Sequence, residues 1–223
     1  TTNVPQAPEM NYEQSLRSID ITHAKVMLKL ENLKYKSSPG PDGFTNRLFK
    51  TFKQYLCLPL TLLYKKSVET GDVPLDWKSA NVTPIFKKGG KGNPGNYRQI
   101  SLTSIPGKIL ESVIKDQIVD HLSMNNLIHD TQHGFMKNKS CTTNLLEFLE
   151  IVTHSVDEGQ CFDIVYLDFC KAFDKVPTER LLSSLKAHGI DGYLLTWLEN
   201  WLRNRQQRVV LNGLFSTWKA VLS

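Results

Sequence analysis

The sequence predicts an α+β fold. Helical patterns recur along the chain, strand-like runs are few and far apart, and there is no internal repeat. A length of 223 residues holds one large domain or two small ones, and 40% hydrophobic residues supply a core.

The elements follow in order. Residues 1–20 are polar and proline-containing, which predicts a flexible lead-in. Thr22 caps a helix with Val26, Met27, Leu30 and Leu33 on one face. The run Ser37-Ser38-Pro39-Gly40-Pro41-Asp42-Gly43 forbids helix and strand and makes a rigid, shaped loop. Helical spacing resumes at Phe44, Leu48, Phe49 and Phe52, and another helix follows Pro59 and ends at Gly71. Residues 80–86 read as a strand, which Pro84 confines to an edge or a bulge. A glycine-rich turn over 89–96 leads to a second strand at 100–102, giving a hairpin with a long, flexible tip. Pro106 opens a helix through Ile118, and a further helix spans 145–156. Residues 164–168 read as a buried strand. Helices over 177–187 and 193–202 follow, the first capped by Asp174 and ended by Gly189, the second capped by Asp191. Residues 206–211, the Asn212-Gly213 turn and 217–222 form a closing hairpin.

A formal net charge of +5 fits an anionic partner without naming one. Cys57, Cys141, Cys161 and Cys170 form no close pair, which predicts reduced thiols in an intracellular protein rather than a disulfide framework. No apolar run is long enough to span a membrane. The chain does not begin with Met and has no signal peptide, so it reads as a fragment or a processed chain.

Chemistry concentrates in Tyr166-Leu167-Asp168-Phe169-Cys170-Lys171-Ala172-Phe173-Asp174. A carboxylate ending a rigid strand is well placed to hold a divalent cation, which is what phosphoryl transfer asks of a protein. Read alone, Asp168 equally suits a solvent-facing strand end, Asp174 a helix cap, and Phe173 a core residue. The hairpin tip carries Lys87, Lys88, Lys91 and Arg98 with no acid between Lys78 and Arg98. Such a charge run either clamps a polyphosphate or is simply a solvated loop. Gly90-Lys91-Gly92-Asn93-Pro94-Gly95 fits G-x-G-x-x-G, but Pro94 and the absence of an apolar helix after it exclude a dinucleotide site. His129, His133 and Cys141 do not close a four-ligand zinc site. The stripe Leu194, Leu195, Trp197, Leu198, Trp201 and Leu202 suits a protein-binding helix, but such a stripe is more often core.

Together these features follow an ordered pattern. Pro39-Gly40-Pro41-Asp42-Gly43, Trp77, Val82-Thr83-Pro84-Ile85-Phe86-Lys87-Lys88-Gly89, Asn96-Tyr97-Arg98, Ile100-Ser101-Leu102 and Lys108-Ile109-Leu110-Glu111 come first. Gln132-His133-Gly134-Phe135, Ser140-Cys141-Thr142-Thr143 and the Asp168 stretch continue it. From about residue 20 onward the chain resembles the reverse transcriptases of non-LTR (LINE) retrotransposons, most closely the jockey-like branch.

The resemblance implies an incomplete right-hand polymerase fold. Residues 21–160 would be helical and β-hairpin fingers with adjoining helices. Residues 161–223 would be the first part of the palm, with no thumb. It further implies an RNA-directed DNA polymerase acting on an RNA template, a DNA primer and deoxynucleoside triphosphates, in nucleus or cytoplasm. Asp168 would bind the catalytic Mg2+ pair. Lys87 or Lys88, with Arg98, would clamp the triphosphate. Phe169 would lie against the nucleotide through its backbone, and Phe173 would be the steric gate under the sugar. Gln132, Gly134, Phe135, Lys137 and Lys139 would face the template. Gln99, Met136, Asn138 and Thr178 depart from the family pattern without removing a metal ligand. No Asp-Asp pair follows Asp168, so the two-ion site is incomplete and the isolated chain is expected to be inactive and poorly soluble. The alternatives are a non-catalytic domesticated module that binds RNA or an RNA–DNA hybrid, and a translated relic.

Overall fold

The computed structural model describes residue 10 and residues 12–169, 172 and 175–221. Helix α1 (His23–Glu31) starts at Thr22, whose hydroxyl accepts the N–H of Lys25 at 3.2 Å. Helix α2 (Asn46–Thr51) is short and buries Phe49. Helix α3 (Lys53–Thr70) begins before Pro59, which therefore lies inside it. Pro59 has no N–H for the carbonyl of Tyr55, yet packing of Cys57, Leu60, Tyr64 and Val68 carries the helix past the gap. Gly71, at φ 73°, ends it as the sequence predicted.

Helix α4 (Ile105–Met124) is capped by Ser104. With α1, α3 and α7 (Gly192–Leu202) it encloses a core that includes Val26, Leu30, Tyr64, Leu110 and Trp197. Polar atoms within that core are paired. Trp197 Nε1 donates to Ser67 Oγ at 2.9 Å, and the Tyr64 hydroxyl donates to the Pro106 carbonyl at 2.8 Å. The lead-in is not loose where it is described. Leu16 bridges Ile190, and backbone bonds tie Leu16 to Gly189 and Asp191. Helix α5 (Cys141–Asp157) starts earlier than the apolar pattern suggested, because Ser140 and Thr143 form a reciprocal capping box. Helix α6 (Thr178–Ala187) takes Pro177 at its N-cap, without a side-chain cap bond. The expected cap, Asp174, lies outside the described residues. Asp191 holds the N-cap position of α7 but makes no side-chain cap bond.

The strands form one small sheet in the order β2-β1-β3-β4, with β5 also on β3. β1 (Ser79–Phe86) pairs antiparallel with β2 (Tyr97–Leu102), from Asn81 opposite Leu102 to Phe86 opposite Tyr97. β1 also pairs in parallel with β3 (Gln206–Leu211), from Ser79 opposite Gln206 to Val82 opposite Val209. β1 is thus interior at its root, not an edge. Pro84 lies beyond the last β1–β3 pair, where the strand has one neighbour and a missing N–H is tolerated. Asn212 at φ 50° and Gly213 at φ 79° make the left-handed two-residue turn after β3. The returning chain is broken into β4 (Leu214–Phe215) and β5 (Lys219–Ala220), both on the same side of β3. Between them the Ser216 side chain accepts the N–H of Val209 at 2.9 Å.

Residues 164–168 do not form a strand. They run without regular structure, and Val165, Tyr166 and Leu167 are exposed. Strand propensity has no effect without a hydrogen-bonding neighbour, and β1 and β3 are already paired with other strands. The molecule is a mixed α/β domain with a small sheet.

Candidate functional site

The basic hairpin is better ordered than its glycines suggested. The Lys87 N–H donates to the Asn96 carbonyl at 2.9 Å, extending the β1–β2 ladder by one step. Asn96 Nδ2 donates to the Gly90 carbonyl at 2.9 Å, and the Tyr97 hydroxyl donates to the Lys91 carbonyl at 2.8 Å. Asn93 Oδ1 accepts the N–H of Gly95 at 2.9 Å. Gly89, at φ 90°, lies so close to Asn96 that a Cβ would stand 2.6 Å from its Nδ2. The tip is therefore a built turn. Phe86 and Tyr97 pack edge to face across the strands with ring centroids 5.5 Å apart.

Strand alternation settles the geometry of the lysine pair. Ile85 is opposite Arg98, and Lys87, the last residue of the ladder, follows Ile85 by two residues, so Lys87 and Arg98 share a face, while Lys88 lies in the bend beyond it. Lys87, Lys88 and Arg98 are all exposed, and none has an ion-pair partner among the described residues.

The hairpin is rooted in the core. Trp77, in a 3-10 turn at Leu75–Lys78, is buried against Tyr64 with ring centroids 5.8 Å apart. Lys78 is buried too and donates through Nζ to Asn200 Oδ1, while Asn200 Nδ2 donates to the Gly71 carbonyl at 2.7 Å. Burial, and then the charge of Arg205, lower the Lys78 ammonium below the usual lysine range. Burial raises Glu111 on α4, opposed by Arg205 and Lys108. Burial lowers Arg205, opposed by Glu111. The Pro39–Gly43 loop also packs here. A Cβ on Gly40 would lie 2.5 Å from the Thr103 carbonyl oxygen, between β2 and α4.

Asp168 and Phe169 are exposed in the irregular segment after α5, and Tyr166 touches Phe148 of α5 with ring centroids 6.2 Å apart. Phe169 also lines a cavity of about 460 Å³ with Lys175, Val176, Pro177, Arg180 and Leu181. No hydrogen bond or ion pair among the described residues joins this segment to the hairpin. Phe173 lies outside the described residues. Among the described residues, no three His, Cys, Asp or Glu side chains are grouped to hold a metal ion. Asp168 is thus not part of such a group among the described residues.

Gln132, Gly134, Phe135, Lys137 and Lys139 come together in the loop between α4 and α5. Gln132 Nε2 donates to the Gly134 carbonyl at 3.0 Å, and Lys139 Nζ donates to the Asp130 carbonyl. His133 Nε2 meets Glu147 Oε2 of α5 at 3.2 Å, fixing the loop on that helix. Phe135 is 92% exposed at φ 63°, a conformation that is costly for an aromatic residue.

Sequence reasoning missed one cluster on the sheet. The Arg208 guanidinium stacks on Phe215 at 4.1 Å and on Trp218 at 4.5 Å from the ring centroids. Its Nε donates to Asn81 Oδ1 at 2.8 Å. The signal was present, since no Asp or Glu occurs between Asn200 and Val221.

Comparison with known proteins gives this arrangement a context. Residues 85–221 match the family described as Reverse transcriptase (RNA-dependent DNA polymerase). The chain is 27% identical over 179 residues to the probable RNA-directed DNA polymerase from transposon BS of Drosophila melanogaster, covering 80% of this chain and 20% of that protein. It is 25% identical over 214 residues to the RNA-directed DNA polymerase from mobile element jockey of the same organism, covering 96% and 23%. It is 28% identical over 161 residues to the retrovirus-related Pol polyprotein from type-1 retrotransposable element R2 of Popillia japonica, covering 70% and 20%. The chain thus spans about a fifth of the length of these relatives.

Proposed function

This chain belongs to the reverse transcriptase (RNA-dependent DNA polymerase) family, and from that premise we propose that it is part of the RNA-directed DNA polymerase of a jockey-like non-LTR retrotransposon. In this reading the fold is a portion of a right-hand polymerase. Residues 21–160 are fingers with adjoining helices, and 161–223 begin the palm. RNA template, DNA primer and deoxynucleoside triphosphates are its ligands.

The observation that carries the reading is the β1–β2 hairpin, which lies inside the family match from Ile85 onward. It presents two unpaired cations on one face, with no carboxylate in the hairpin to neutralise them. Lys87 and Arg98 are assigned to the triphosphate, Lys87 being preferred to Lys88 because it shares the face of Arg98. Charge-assisted bonds to phosphate are the strong kind, and a planar guanidinium grips two oxygens at once.

Phe169 and Phe173 are assigned to the nucleotide, and the Gln132–Lys139 loop to the template. Reverse transcriptases generally use divalent metal. Asp168 is proposed to contribute one carboxylate toward Mg2+.

The test is binding of a fluorescent deoxynucleoside triphosphate to the chain and to its Arg98→Gln and Lys87→Gln variants. Each substitution is expected to weaken binding about tenfold, the cost of one charge-assisted contact. Equal affinity in both variants and the parent would refute the assignment.

A further inference from the structure

Two segments far apart in sequence share an unusual property. Neither residues 79–110 nor residues 200–221 contain an Asp or Glu. The parallel pairing of β1 with β3 joins them into one sheet, so the sheet and its turns carry only positive charge. Two of those cations are already matched. Arg203 binds Glu179 at 2.5 Å and Glu199 at 3.0 Å, and Arg205 faces Glu111. Arg208 is different. Asn81 engages its Nε, and its two Nη groups make no hydrogen bond among the described residues.

Register puts Arg208 on the same face as Arg98 and Lys87. Arg208 is opposite Asn81, and Asn81, Ile85 and Lys87 alternate onto one side of β1. Arg98 and Arg208 flank β1, four residues apart along it. That offset is about 13 Å along the strand and about 10 Å across two strand spacings. Beside Arg208, Phe215 and Trp218 are 57% and 38% exposed, so each ring offers surface to solvent while also holding the guanidinium.

We propose that Arg208, Phe215 and Trp218 form a contact site for a single-stranded RNA segment that crosses this sheet face from the Arg98 end. The Arg208 fork takes a backbone phosphate and an aromatic ring stacks a base. Charge complementarity selects a polyanion, and the pairing of arginine with exposed aromatics selects one with bases. A guanidinium already held against two rings and bonded to Asn81 loses little freedom when it binds. The site rests on the reverse transcriptase reading above and extends it to a surface remote in sequence from the hairpin.

The experiment measures binding of a short, labelled single-stranded RNA to the whole chain across a salt series. Arg208→Gln is expected to weaken binding about tenfold. It should also flatten the log–log salt slope by about 0.7, the value for one phosphate on a single strand. Lys66→Gln, on exposed α3, serves as the control and should change neither. Because Arg208→Gln also removes ring stacking, the unsubstituted chain is separately crosslinked to RNA containing 4-thiouridine. Crosslinks are expected on the tryptic peptide 209–219. If Arg208→Gln does not weaken RNA binding and 209–219 stays unlabelled, while the fluorescent triphosphate still binds and that binding is lost on Arg98→Gln, this site is refuted and the hairpin assignment stands. If the unsubstituted chain binds no RNA at low salt, this site falls, and the triphosphate assay decides the hairpin assignment by itself.

Discussion

Gly40 and Thr103 meet so closely that a single added carbon would stand 2.5 Å from the Thr103 carbonyl oxygen. The contact is with backbone, which cannot rotate aside. It explains why a proline-flanked glycine is needed in that loop, and it ties the loop to the point where the hairpin becomes α4. Gly40→Ala is expected to lower stability by about 1–3 kcal/mol, as overpacking does, measured by urea unfolding. An unchanged midpoint would mean that the loop lifts off freely.

Ser67 and Trp197 are a second such dependence. Ser67→Ala leaves the indole N–H buried without an acceptor, at a cost of about 1–3 kcal/mol. Thermal unfolding should register the loss. In a Trp197→Phe background, Ser67→Ala should cost less than in the parent, because no indole N–H then remains to satisfy.

Asp116 predicts an acid-sensitive term. Partial burial raises its carboxyl, but hydrogen bonds and charge from Lys29 and Lys115 outweigh that and hold it below the usual range. A lowered folded-state pKa means that the term is fully present above the ordinary aspartate range. It is lost as pH falls through the depressed value. Because the pair is partly exposed, the contribution is below about 1 kcal/mol. Asp116→Asn should therefore destabilise slightly at neutral pH, and its unfolding midpoint should converge with that of the parent in strong acid. A gap that persists in acid would contradict the assignment.

Primer extension by the purified chain is expected to be undetectable, because no three His, Cys, Asp or Glu side chains are grouped to hold a metal ion among the described residues. Loss of positioned charge costs several kcal/mol of barrier. Extension on a primed RNA template that disappears in Asp168→Asn would overturn this and make Asp168 sufficient.

The exposed run from Phe162 to Phe169 predicts binding of a hydrophobic dye and concentration-dependent self-association. Val165→Lys with Leu167→Lys should reduce both without lowering the unfolding midpoint, since neither side chain is packed. Dye binding unchanged by the double substitution would place the sticky surface elsewhere.

Local signals were legible. Thr22 and Gly71 mark helix ends because caps act within a few residues. Asn212-Gly213 marked a hairpin turn for the same reason. Pairing between distant segments was not legible. Nothing in residues 79–82 announces 206–209 as their neighbour, so β1 was misread as an edge. The reverse error occurred at 164–168, where an apolar run reads as a strand but no partner receives it. Of the site residues, Lys87 and Arg98 were visible as a charge run, and register then separated Lys87 from Lys88. The acid-free run around Arg208 was visible, but its placement on the sheet depends on Asn81, 127 residues away.

That separation bears on how the molecule is assembled. The helices and the β1–β2 hairpin close short loops, whereas joining β1 to β3 requires the chain to bring together segments 127 residues apart before any ladder bond forms. Loop-closure entropy makes such a step late and slow. During synthesis, β1 would therefore leave the ribosome with one edge bare and keep it bare until residues 206–209 had followed. In that interval a polypeptide-binding chaperone, or another nascent copy, competes for the edge that β3 will occupy.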